Sequence, residues 1–125
     1  MPTQLHIAKD RKLTRADVNV LLSEYAKLQG ESVAFLGKAK RRYSIFSTPA
    51  DLAAASVDVN AQYRKLSAAM HMFNFAVRIV DSGLVSTITE LGNALENEAN
   101  YGSGHMDSNA KEVAAQHAIN LLRNN

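Results

Sequence analysis

The chain has 125 residues, 46% of them hydrophobic and 21% charged, with a formal net charge of +2. That is the length and mixture of one globular domain with a modest core. The complete absence of cysteine excludes a disulfide scaffold and any thiolate zinc site, and points to a reducing, cytoplasmic setting.

Charge is unevenly placed. Residues 1–65 hold eleven Lys/Arg against six Asp/Glu, and residues 66–125 hold three against six. Such asymmetry suits complementary packing within the fold, antiparallel self-association or an acidic partner.

Residues 1–13 lack a clean period. Pro2 and the cluster Lys9, Asp10, Arg11 and Lys12 suggest an arm that is loose or docks late, with Leu5, Ile7 and Leu13 available to pin it. Met1 to Lys12 contain no apolar run of signal-peptide length.

Thr14 opens a strong helix signal, from about residue 14 to about residue 43. Thr14-Arg15-Ala16-Asp17 resembles a capping box with Asp in place of Glu. Val18, Leu22, Tyr25, Gln29, Ser32, Leu36, Ala39 and Tyr43 keep heptad spacing, and Leu21, Leu28 and Phe35 widen the stripe. Gly30 and Gly37 lie seven residues apart, on one face where another backbone could come close. The basic run Lys38, Lys40, Arg41 and Arg42 suits the negative end of the helix.

Thr48-Pro49-Ala50-Asp51 starts a second helix, about 49–82, with proline at the first helical position. Its seam reads Leu52, Ser56, Val59, Tyr63, Leu66, Met70, Phe73, Val77, Val80 and Leu84. Ala68, Ala69, Met72, Phe75, Ala76 and Ile79 add apolar surface beside that seam. A helix apolar over most of its girth needs neighbours on several sides. The run Leu66–Val80 is interrupted by His71, Asn74 and Arg78, so it falls short of the ~18 unbroken apolar residues of a membrane span.

Asp81-Ser82-Gly83 offers a stop, and Ser86 or Thr87 with Glu90 a third start, giving a helix of about 86–99 with the stripe Leu84, Ile88, Leu91, Leu95 and Ala99. Residues 102–106, Gly-Ser-Gly-His-Met, read as a flexible joint, either a natural loop or an engineered fusion junction. Asp107 or Ser108 then caps a last amphipathic helix in 107–125. Val113, His117 and Leu121 lie one above another in it, with Ala110, Ala114, Ala118 and Leu122 beside them and Ala115 and Ile119 off that face. The expected fold is therefore all-α: an antiparallel bundle of three helices in residues 1–101, plus a fourth after the joint.

Chemistry is poorly represented. His6, His71, His105 and His117 form no i,i+4 pair, and no His-Glu-x-x-His or phosphate loop occurs. Asp81, Glu90, Glu96 and Glu98 read as a solvated face. The expectation is a protein without enzymatic activity, metal or cofactor.

The preferred function is a chaperone-like adaptor that holds an amphipathic helix of a protein partner in an apolar groove. Val113, His117, Ile119, Leu121 and Leu122 would be the helix anchors. Phe35, Leu66, Met70, Phe73, Val77, Ile88, Leu91 and Leu95 would form the groove. One alternative is nucleic-acid binding through Lys38, Lys40, Arg41 and Arg42. Another is self-assembly through the heptad seam, as in a structural or secretion-apparatus component.

Overall fold

A computed structural model describes residues 5, 10–45, 49–102 and 107–123, with the side chains of 38–45 and 49–58 outside the description. All regular structure among these residues is helical: α1 (Arg15–Ile45), α2 (Pro49–Asp81), α3 (Ile88–Tyr101) and α4 (Ser108–Arg123). No helix among them is long and apolar enough to cross a membrane.

Each helix start follows from local chemistry. At α1, the Asp17 carboxylate accepts from the Thr14 amide at 2.7 Å. The Thr14 hydroxyl also donates to that carboxylate at 3.2 Å, so the acid reaches back to the start of the helix and satisfies an early donor. Pro49 is the first residue of α2, where a missing N–H costs nothing. Gly83 takes a φ of 81° just beyond α2, the left-handed conformation that ends a helix most cheaply with glycine. Thr87 caps α3 by accepting from the Glu90 amide, and Asp107 caps α4 by accepting from the Asn109 amide at 2.9 Å.

α2 packs against the other three helices, and α4 lies between α2 and α3 with a lighter contact to α1. α1 and α2 run antiparallel, the start of one tied to the end of the other by Arg15 and Asp81 at 2.8 Å. α3 runs back along α2, bringing Glu98 to His71 at 2.8 Å. The start of α4 is level with Lys65, where Asp107, Asn109 and Lys65 line one cleft. Both short helices therefore stop about halfway along α2. Beyond them, among the described residues, α1 and α2 have only each other as neighbours for about 15 residues each, an arm roughly 23 Å long.

The helices meet in a base with a single core. Leu21, Met72, Phe73, Ala76, Ile88, Leu91, Leu95, Ala115, Ala118, Ile119 and Leu122 are buried together. The described residues before α1 are docked there: Leu5 is buried, the Leu13 amide donates to the Ser86 carbonyl at 2.8 Å, and the Ile88 amide donates to the Arg11 carbonyl at 2.9 Å. Ile7 lies outside the described residues.

Several heptad positions expected to face inward do not. Leu22, Leu36 and Tyr63 are exposed, and Leu84 is 74% exposed. In α1 the inward line is Val18, Leu21 and Leu28 with half-buried Tyr25, Ser32 and Phe35, about 100° from Leu22. In α2 the fully enclosed line is Ala68, Met72, Phe73 and Ala76. Small residues let neighbouring helices approach closely, so Ala68 and Ala76 share the enclosed line with Met72 and Phe73, while Leu66, Met70 and Val77 of the expected seam are only partly buried. Leu84 falls in the turn after Gly83, outside any helix. The space around Gly30 and Gly37 is also open: a Cβ added at either would meet nothing within 4 Å, so among the described residues no backbone makes the close approach that their spacing suggests.

Candidate functional site

The candidate site is the groove in which α4 lies. Its floor comes from α2 and α3, where Phe73, Ile88, Leu91 and Leu95 are fully enclosed. Leu66, Met70 and Val77, also expected in the groove, are partly buried at the margin of the same core. Phe35 is half-buried but belongs to the arm, α1 having passed beyond α4 by then.

α4 presents to this floor a face different from the expected one. Its buried residues are Lys111, Ala114, Ala115, Ala118, Ile119 and Leu122. Ile119 and Leu122 act as anchors, and Leu121 packs at the edge. Val113 is 64% exposed and His117 is exposed as well, so neither is buried in the groove. The reason is again the alanines: with Ala114, Ala115 and Ala118 turned inward, α4 sinks between α2 and α3, and Ala115 and Ile119 move from the expected flank to the centre.

His117 has a different part. Its Nε2 lies 3.1 Å from Glu24 Oε1 of α1, and its ring meets Phe73 edge-on, centroids 5.7 Å apart. One side chain thus links α4 to both α1 and α2, adding a polar tie to an aromatic contact.

Lys111 is only 2% exposed, an unusual place for an ammonium group. Its Nζ donates to the Glu98 carbonyl at 3.3 Å. α3 has no basic residue in its last turn, so α4 supplies the cation that the negative end of α3 favours. The Glu98 carboxylate meanwhile meets His71. Glu98 is therefore where α2, α3 and α4 join. Sequence spacing carries no signal for this, because the three partners come from three helices.

Arg11 locks the other end. Two of its nitrogens reach the two Asp17 oxygens at 2.8 Å each, and one also donates to the Leu122 carbonyl at 2.7 Å. Asp17 is wholly buried, and its carboxylate hydrogen bond holds the guanidinium above its usual pKa. The last turn of α4 is thereby capped from the segment preceding α1.

A cleft of about 360 Å³ opens beside the first turns of α4. Leu28, Ala69 and Phe73 line its depth, Ala110, Val113 and Ala114 one wall, and Lys65, Asp107, Asn109 and His117 its polar parts. The exposed Val113 side chain belongs to this wall. The cleft continues the α4 groove toward the arm.

The side chains of Lys38, Lys40, Arg41 and Arg42 lie outside the described residues, although their backbone belongs to α1. Among the described residues no group of three or more His, Asp or Glu converges as metal ligands would. No protein-family model, curated protein or solved structure matches the chain.

Proposed function

We propose that this chain is a non-enzymatic protein–protein interaction module, an adaptor or chaperone-like body that holds an amphipathic helix in an apolar groove. Residues 1–101 form the body, 102–106 join it to α4, and α4 is the held helix; residues 103–106 lie outside the described residues. The supporting observation is the complete enclosure of Ala115, Ala118, Ile119 and Leu122 on a helix of 16 residues. Such a helix is marginal alone in water, so its order comes from the groove. The joint Gly102-Ser103-Gly104 brings no bulky side chain with it and raises the effective concentration of α4 at the groove.

The test is to place a protease site within residues 102–106, fold the full chain, and cut it. The cut segment should stay bound and then exchange with a labelled 107–125 peptide, while an Ile119→Asp peptide should fail to compete. A cut segment that never exchanges, and unfolds only together with the rest, would make α4 an integral fourth helix and end the reading.

A further inference from the structure

Three helices build the cleft beside the first turns of α4. α1 gives Leu28, α2 gives Ala69 and Phe73, and α4 gives Ala110, Val113 and Ala114. Its depth is apolar, and Leu28, Phe73 and Ala114 are buried there. Val113 is the contrast, a large apolar side chain left exposed on a helix whose other face is sunk in the core. An apolar body seated in the cleft would take Val113 out of water.

Size narrows the occupant. The α4 side of the lining runs from Asp107 to His117, about 15 Å of helix. A partner helix of about 10 Å diameter would need about 1,200 Å³ over that length, far more than the cleft's 360 Å³. A cavity of about 150 Å³ accepts benzene. By that measure the cleft holds a small molecule of roughly 14 non-hydrogen atoms, and three-sided apolar clefts of this volume are the usual form of such sites.

The rim sets the charge. Asp107 spends its carboxylate on the start of α4, accepting from the Asn109 amide at 2.9 Å and the Ala110 amide at 3.5 Å. His117 Nε2 lies 3.1 Å from Glu24 Oε1, so that acid is also taken up. Lys65 is exposed and has no hydrogen bond or ion pair among the described residues. An uncommitted ammonium at the mouth of an apolar cleft suits an anionic head on an apolar tail.

We propose that this cleft binds a small anionic amphiphile, a medium-chain carboxylate in chemical class, with its tail between Phe73 and Val113 and its head at Lys65. The lining comes from α4 as well as from α1 and α2, so the cleft is complete only while α4 is docked. A bound carboxylate therefore tightens the hold on α4 by mass action. It does so whether α4 is an exchangeable helix or an integral one, so the proposal does not depend on the reading of the groove.

The test uses the full chain and octanoate, with octanol and octylammonium as probes of the same tail, followed by amide chemical shifts. Octanoate should give saturable shifts centred on Leu28, Lys65, Val113 and Ala114. Val113→Asp should weaken its binding by about tenfold or more, as expected for one lost apolar contact. Lys65→Glu should weaken it by about threefold or more while leaving octanol unchanged. Both positions are exposed, and an unchanged urea midpoint separates lost binding from lost structure. Octanoate at about ten times its Kd should slow amide exchange in α4 by about tenfold. The absence of saturable shifts, octanol or octylammonium binding as tightly as octanoate, or binding indifferent to Val113→Asp would each overturn the proposal. So would exchange in α4 that saturating octanoate leaves unchanged.

Discussion

The base and the arm are built from the same two long helices, yet they differ in what surrounds them. In the base α2 has three neighbours, and Met72, Phe73 and Ala76 are entirely enclosed. In the arm each helix has one neighbour among the described residues; Val59 is buried, but Phe35 is only half-buried and Val33 and Leu36 face water. A two-helix ribbon covers one narrow stripe per helix, and anything wider stays exposed. The base is thus where burial supplies stability, and the arm is where α1 keeps surface available.

The difference can be broken most sharply at Phe73. Phe73→Ala should cost about 3–5 kcal/mol in urea unfolding, while Val33→Ala in the arm should stay within about 0.5 kcal/mol. Comparable losses at the two sites would mean that the arm is packed like the base.

Within the base, the roll of α4 is open to the same treatment. Ile119→Ala and Leu122→Ala should each cost about 2–5 kcal/mol and speed amide exchange throughout α4, whereas Val113→Ala should do neither. An equal effect at Val113 would restore the face centred on Val113, His117 and Leu121.

In the arm, Gly30→Ala and Gly37→Ala should each stabilise the chain by about 0.5–1 kcal/mol, read as a higher urea midpoint with an unchanged slope. Destabilisation by either would show that a backbone does come close to α1.

The smallest expected effect concerns Asp10. The Thr89 amide donates to its carboxylate at 2.9 Å, and that bond holds its pKa below the ordinary 3.8. A depressed carboxylate pKa adds stability above the unfolded value and loses it as pH falls through the folded one. Asp10→Asn should therefore remove a small stabilisation at neutral pH, one the native chain loses only below about pH 3.8. Carboxyl carbon shifts followed through an acid titration would read the native value directly.

The places where helices begin and end were legible because caps are local. Thr14 with Asp17, Pro49, Gly83, Thr87 with Glu90, and Asp107 each act within three or four residues of themselves. The all-helical class followed from the 3.6-residue recurrence of apolar positions, and the need of α2 for several neighbours followed from its girth. Which way each helix is rolled was not legible. Leu22 and Leu36 fit a heptad as well as Leu21 and Leu28 do, and Val113 fits an anchor stripe as well as Ile119.

What the sequence by itself determined, then, is the set of helices, their caps and the excess of apolar surface on α2, since all three depend on residues a few positions apart. Tertiary structure alone decided that α3 and α4 stop level with Lys65, leaving an arm. It also decided that Lys111 lies buried at the end of α3, and that His117 holds Glu24 and Phe73 together. These depend on where one helix ends against another, and no spacing along the chain records that distance.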